Sequence, residues 1–211
     1  MGASNSTGKA QIYKLKIQKE TGVPKFVQQE KNDESWEDTK SFSDMEGYLK
    51  SVSMEQFTWE GKTKNSLKVI MADNVTDEKI IITMYMDNAT RSMLNSLAGA
   101  EDLSGVLRLE ARKYGKAEKK YPTIFVKMNG NQCRWKYPID EIPRVIETKN
   151  SRDITVDWDD SDANEFFKLV IERDINPRLK SEPQYQITHP SYPQPMEQTP
   201  QQPENFDDLP F

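Results

Sequence analysis

Residues Gln11–Ile17 alternate with period two, Tyr13, Leu15 and Ile17 on one side and Lys14 and Lys16 on the other, which predicts a β-strand. Residues 20–53 mix acids with the isolated apolar positions Trp36, Phe42, Tyr48 and Leu49, and the pattern assigns them to no element. Strand-like segments resume at 57–59, 67–71 and 80–86, and Asp73-Asn74-Val75-Thr76-Asp77 supplies turn residues that make a hairpin of the last two. Asn88 or Thr90 is positioned to cap a short helix with Met93, Leu94 and Leu97 on one side and Gly99 as its stop. Beyond it, Leu107, Leu109 and Ala111 alternate with Arg108, Glu110 and Arg112, and Ile124, Val126 and Met128 alternate with Thr123, Phe125 and Lys127. Two further strands follow.

The pair Asn129-Gly130 favours a two-residue hairpin turn with Met128 opposite Asn131. Counting outward sets Val126 against Cys133, Ile124 against Trp135, Phe125 against Arg134 and Thr123 against Lys136. Trp135 is then a core residue, whereas Phe125, Lys127, Arg134 and Lys136 share the opposite face. Strand, strand, strand, short helix, strand, strand is the order of a five-stranded oligonucleotide-binding (OB) barrel, a mainly β fold with its helix between strands 3 and 4. After Pro143 the acidic run Asp159-Asp160-Ser161-Asp162 leads into an appended helix over 163–172, where Phe166, Phe167, Val170 and Ile171 form an apolar stripe. Residues 181–211 hold seven of the chain's twelve prolines and six glutamines, a composition of a disordered tether rather than of a core. The expected organisation is a flexible leader (1–9), an OB domain (10–150), an acidic helical extension (151–180) and the tether (181–211).

Composition narrows the function. With one cysteine, Cys133, and one histidine, His189, the chain has no intrachain disulfide, no Cys/His zinc cluster and little scope for nucleophile–histidine catalysis. No run approaches the ~18 apolar residues of a membrane span, so a cytoplasmic protein without membrane association is expected. Gly2-Ala3-Ser4-Asn5-Ser6-Thr7-Gly8-Lys9 fails as a phosphate loop, because its glycines are one residue too far apart and Ala10 follows the lysine. A calcium loop starting at Asp157 fails because Lys168 occupies its twelfth position. No cofactor, metal or catalytic residue is therefore expected. The net charge of −5 conceals a segregation: residues 105–136 carry nine Lys/Arg against two acids (+7), and residues 137–174 carry five against eleven (−6). Such polarity suits a protein that holds phosphates at one end and proteins at the other.

Single strands are held without sequence preference by aromatic platforms and phosphate-binding cations. Arg112, Lys113, Tyr114, Lys116, Lys119 and Lys120, between two strands, supply both, with Phe125, Lys127, Arg134 and Lys136 on the adjoining face. Trp59 and Tyr85 are further stacking candidates. The tip Phe206, Asp207, Asp208, Leu209, Pro210 and Phe211 resembles the C-terminal tip of bacterial single-stranded DNA-binding proteins, which end in acids followed by a hydrophobic residue, Pro and Phe. The resemblance covers about seven residues closely. It implies protection of single-stranded DNA during replication, recombination and repair, and recruitment of a polymerase, helicase, primase or nuclease. Phe211 fills an apolar pocket in such recognition while its carboxylate meets an arginine and the two aspartates meet a basic rim. The short acidic run, Leu209 where Ile is commoner, and the helical extension point to a phage-encoded member working in the cytoplasm of a bacterium or an infected host. The competing reading is a non-catalytic interaction or recombination-mediator module that binds no DNA.

Overall fold

The computed structural model describes residues 10–33, 35–116, 119–150 and 155–179, with the backbone alone at 59, 155 and 156. The leader 1–9, the tether 181–211 and its tip Phe206, Asp207, Asp208, Leu209, Pro210 and Phe211 lie outside the described residues. The strands are β1 (Gln11–Ile17), β2 (Pro24–Lys31), β3 (Trp36–Phe42), β4 (Asp44–Trp59), β5 (Lys62–Ala72), β6 (Lys79–Tyr85), β7 (Val106–Lys116), β8 (Lys119–Met128), β9 (Asn131–Gln132), β10 (Ile146–Lys149) and β11 (Thr155–Asp159). Helix α1 (Asn88–Gly99) joins β6 to β7, and α2 (Ser161–Val170) runs through a π-helical turn (Ile171–Ile175) into α3 (Asn176–Leu179).

The protein is mainly β, as its pattern predicts, but its principal sheet has nine strands and stays unclosed, in the order β3-β2-β1-β6-β5-β4-β7-β8-β9. The unassigned segment 20–53 supplies β2, β3 and the first half of β4. β4, β5 and β6 follow one another antiparallel, and β7 returns after α1 to lie beside β4, a Greek-key arrangement. β1 joins the far side of β6 in parallel, pairing Tyr13 with Ile82. β10 and β11, a hairpin that the residue pattern does not announce, form their own small sheet.

β4 is shared unequally. Its residues Asp44 to Tyr48 pair with β7, and Tyr48 to Trp59 pair with β5, with a bulge between Leu49 and Ser51. Beyond Tyr48 the edge that β7 leaves is met by Asn176: the Val52 N–H donates to Asn176 Oδ1 at 3.3 Å, and Asn176 Nδ2 donates to the Val52 carbonyl at 2.9 Å. A side-chain amide thus supplies the donor and acceptor of a missing strand.

Helix α1 buries nine of its twelve residues, so it is enclosed nearly all round rather than amphipathic. Its N-cap is Asp87, ahead of both expected caps, Asn88 and Thr90, with the Thr90 N–H donating to Asp87 Oδ1 at 2.9 Å. Gly99 is the last helical residue rather than the stop after it. It is small for another reason: a Cβ there would lie 2.1 Å from the Arg134 carbonyl oxygen. That contact belongs to a strap, residues 133–137, which α1 draws off the sheet. The turn Asn129-Gly130 forms as predicted, with φ of 49° and 82°, Met128 pairs with Asn131, and the Cys133 N–H still reaches the Val126 carbonyl at 2.9 Å. β9 nevertheless ends at Gln132, because the N–H groups of Lys136 and Tyr137 donate to Asn95 Oδ1 at 3.1 and 2.9 Å and Asn95 Nδ2 donates to the Tyr137 carbonyl at 2.8 Å. The extrapolated register therefore fails past Cys133. Arg134 and Lys136 do not share a face with Phe125, and Trp135 is 49% exposed instead of core.

One hydrophobic core unites the sheet with both helical parts: Phe26, Leu67, Ile82, Leu107 and Ile124 from strands, Met93, Leu94 and Leu97 from α1, and Phe167, Val170 and Ile175 from the C-terminal helices. The helical extension belongs to the same core as the strands. The strap is pinned to it at Asp174, which is buried and accepts from Lys136 Nζ at 2.6 Å, Arg173 Nη2 at 3.2 Å and the Tyr137 hydroxyl. Burial opposes ionisation of Asp174, but the hydrogen bonds from Arg173, Lys136 and Tyr137 outweigh it and lower its carboxyl to about 2. Because the folded value lies below the unfolded one, this clamp stabilises the fold above pH about 4 and is lost as pH falls toward 2. Thermal melts should show wild type losing stability across that window. The Asp174→Asn variant should be less stable at neutral pH, by about 2 kcal/mol, with a flatter acid limb.

Candidate nucleic-acid interface

Leu107, Leu109 and Ala111 of β7 and Ile124 and Val126 of β8 point into the core, so the intervening residues form the other face of the sheet. There Arg108 pairs with Lys127, Glu110 with Phe125, Arg112 with Thr123 and Tyr114 with Tyr121. Tyr114 reaches diagonally to Phe125, ring centroids 5.4 Å apart in an edge-to-face contact. The centre of this patch is a buried acid. Glu110 is 3% exposed and is met by Lys127 Nζ at 2.7 Å, Arg112 Nη2 at 2.8 Å and Arg108 Nε at 3.2 Å. The Lys127 hydrogen bond, against the opposing cost of burial and together with the charges of Arg112, Lys127 and Arg108, holds the Glu110 carboxyl below its usual range. Arg108 also donates to Asp44 Oδ2 at 3.1 Å, so three cations on this face meet two acids and leave one positive charge in surplus.

Farther along the hairpin, Lys113, Lys116, Lys119 and Lys120 are exposed and make no ion pair among the described residues. Tyr114 and Tyr121 are 65% and 61% exposed beside them. Residues 117 and 118 at the tip lie outside the described residues.

A second aromatic patch lies across β4 on the same non-core face. Tyr85 at the end of β6 is 63% exposed and packs on Phe57 of β4 at 5.7 Å between centroids. The two rings wall a groove of about 380 Å³ that Lys14, Lys16, Ser66 and Thr83 also line. Lys14 comes beside Thr83 through the parallel β1–β6 ladder, and Lys64 stands opposite Phe57 on β5. Lys16 is paired with Asp38 at 2.6 Å and Lys68 with Glu55 at 2.9 Å, leaving Lys14 and Lys64 with no ion pair among the described residues. Trp59 closes β4 just before the turn Glu60-Gly61, and its side chain lies outside the described residues.

Of the residues singled out from sequence, Arg112, Lys113, Tyr114, Lys116, Lys119, Lys120, Phe125 and Lys127 come together on the β7–β8 hairpin, and Tyr85 heads the second patch. Arg134 and Lys136 belong to neither. Lys136 is committed to Asp174 at 2.6 Å, and Arg134 lines a separate hollow with Glu101 and Asp102 at the C-terminal end of α1. Phe57 and Lys14 escaped sequence reading. Phe57 carried a signal nonetheless: it follows Ser53 and Glu55 at period two, an aromatic ring on the polar side of a strand whose core side is Val52 and Met54.

Among the described residues no three His, Cys, Asp or Glu side chains converge as a metal site. The acidic run is engaged instead, with Asp157 paired to Lys62 at 2.8 Å, Asp160 to Arg91 at 2.7 Å, and Asp159 accepting from Ser161. No helix among the described residues is long and apolar enough to cross a membrane. Comparison with protein-family models, curated sequences and solved structures gives no match.

Replacing Glu110 by Gln leaves Arg112 and Lys127 around an uncharged centre and Arg108 with Asp44 as its remaining acid. Urea denaturation should show a loss of about 1–3 kcal/mol that shrinks as added salt screens the three cations.

Proposed function

We propose that this chain binds single-stranded DNA, largely without sequence preference, and protects it during replication, recombination and repair. The observation that carries the reading is a single sheet face bearing two aromatic pairs, half-buried Phe57 with exposed Tyr85 and exposed Tyr114 with half-buried Phe125, each next to lysines without ion-pair partners among the described residues. Rings of this kind stack bases at about 1–3 kcal/mol per base, and the lysines release counterions from phosphates. Ring faces and point charges carry no base code, hence the expected sequence tolerance.

Topology supports the same reading. β4, β5, β6, α1, β7 and β8 follow the order of an OB barrel, with β7 returned beside β4. In that fold the face of the second and third strands and the loops joining strands 1–2 and 4–5 bind oligonucleotides. The corresponding parts here are the β5–β6 face with Lys64 and Tyr85, the turn after Trp59, and the β7–β8 tip with Lys116, Lys119 and Lys120. On this reading β1, β2 and β3 extend the barrel from its third strand. The segment Phe206, Asp207, Asp208, Leu209, Pro210 and Phe211 recruits a polymerase, helicase, primase or nuclease, and the chain itself performs no catalysis.

Fluorescence titration of oligo-dT against duplex at several salt concentrations tests the interface. The Lys116→Ala, Lys119→Ala, Lys120→Ala triple variant should flatten the log–log salt dependence by about 0.7 per lost phosphate contact, and Tyr85→Ala should cost about 1–3 kcal/mol of affinity. An unchanged slope removes the hairpin from the interface, and no response to any oligonucleotide favours the interaction module that binds no DNA. Deleting residues 206–211 should leave oligo-dT affinity equal or higher while abolishing co-purification of replication enzymes. A collapse of DNA affinity in that truncation would contradict the division of labour.

A further inference from the structure

β4 keeps an open edge past the point where Asn176 covers it. Val52 turns both its N–H and its carbonyl to Asn176, away from β5, and the antiparallel register repeats that orientation at every second residue. Met54, Gln56 and Thr58 therefore face outward too. Asn65, opposite Gln56, has the matching phase, because its carbonyl turns away from β4 to accept from the Met86 N–H at 3.2 Å. Three donors and three acceptors thus stand in a row on one edge with no hydrogen-bond partner among the described residues. Such a row is a template for one more strand.

The surroundings of the edge select its occupant. On the side that α2 covers, it borders a hollow of about 540 Å³ lined by Met54, Gln56 and Asn65 and by Ser161, Asn164 and Lys168 of α2. With α2 on its far side, that space suits a single extended chain and not a second copy, which would bring its own helix against this one. Its charges cancel, since Lys168 and Glu165 are paired at 3.7 Å, so an uncharged segment fits better than an acidic or basic one. A chain of that kind begins close by. Leu179 lies about 4.5 Å of helix beyond Asn176, Met54 lies about 7 Å of strand beyond Val52, and residues 180–183 extend up to about 13 Å. Next come Gln184-Tyr185-Gln186-Ile187-Thr188, uncharged, free of proline between Pro183 and Pro190, and alternating with Tyr185 and Ile187 on one side. The tether's other proline-free run of six residues, 204–209, carries three acids.

We propose that residues 184–188 of this chain add to β4 as a further strand, in the place that β7 leaves, with Tyr185 and Ile187 turned into the hollow beside α2. Entry from the Val52 end makes the new strand parallel to β4, with residues 184, 186 and 188 bonding to the backbone of Met54, Gln56 and Thr58. A segment joined to the body by so short a link is present at millimolar effective concentration, which favours it over a free strand from another molecule. The inference does not rest on DNA binding. It moves the start of the tether from Leu179 to Pro190, so that the segment 206–211 hangs from the end of β4 that carries Trp59.

The test follows amide hydrogen exchange in the full chain, residue by residue, by NMR. The Met54, Gln56 and Thr58 amides should exchange about tenfold or more slowly in wild type than in Gln186→Pro, a variant outside the core that removes one donor of the new ladder. The Glu55 and Phe57 amides, which turn to β5, should change less. Gln186→Thr keeps the N–H and should keep the protection. Equal exchange of the three amides in wild type and Gln186→Pro overturns the proposal, and so does loss of protection in Gln186→Thr. Protection that fades on dilution, together with a dimer in sedimentation, would assign the edge to the same segment of a second copy and overturn it equally.

Discussion

The architecture depends on how β4 is shared. A strand can extend past its neighbour only if the backbone groups it uncovers find other partners, since a buried unpaired amide or carbonyl costs free energy comparable to a lost hydrogen bond. β4 parts from β7 at Tyr48, bulges before Ser51, and offers the N–H and C=O of Val52 to Asn176. That amide is delivered by a helix 124 residues along the chain, so the C-terminal helices complete the sheet as well as covering the core. Their phenylalanine stripe and Asn176 make a single device: Phe167 and Val170 supply apolar burial while Asn176 satisfies the backbone that burial would otherwise orphan.

Two buried carboxylates organise the charged surfaces in the same economical way. Glu110 sits under the basic hairpin and Asp174 under the strap; Glu110 gathers three cations, Arg108, Arg112 and Lys127, and Asp174 three donors, Lys136, Arg173 and Tyr137. At Glu110 the surplus charge stays positive and faces outward among aromatic rings. At Asp174 the cations are consumed in holding the strap. The segregation visible in composition is therefore adjusted by packing: cations add to a binding face to the extent that they outnumber the acids that hold them. Lys136 shows the difference from Lys116, although both fall within the same basic stretch of sequence.

Local patterns carried the sequence reading far and stopped where distant contacts decide. Alternation found β1, β7 and β8, the run after Ala72 found the β5–β6 turn, and Asn129-Gly130 found the tight turn before β9. Counting beyond that turn failed because Asn95, buried on α1, captures the Lys136 and Tyr137 amides. Segment 20–53 resisted assignment for a different reason in each part: all seven residues of β3 are exposed, so burial imposes no pattern there, and in β4 the bulge between Leu49 and Ser51 breaks the alternation of its buried residues. Within the candidate interface, the hairpin cluster was legible because its residues are neighbours in sequence. Phe57, Lys14 and Tyr85 meet only through ladders that join β1, β4, β5 and β6, and no local pattern records that meeting.

The exposure of β3 has a bearing on solubility. An open sheet presents raw strand edges, and a flat apolar edge invites other chains to add to it. Here the outermost strand reads Trp36-Glu37-Asp38-Thr39-Lys40-Ser41-Phe42, charged through its middle, with Asp38 tied back to Lys16. It stands between solvent and β2, whose Phe26 is fully buried and whose Val27 is half-buried. β3 works as a guard strand, keeping a protein whose sheet never closes from polymerising through the ladder that its own fold leaves unfinished.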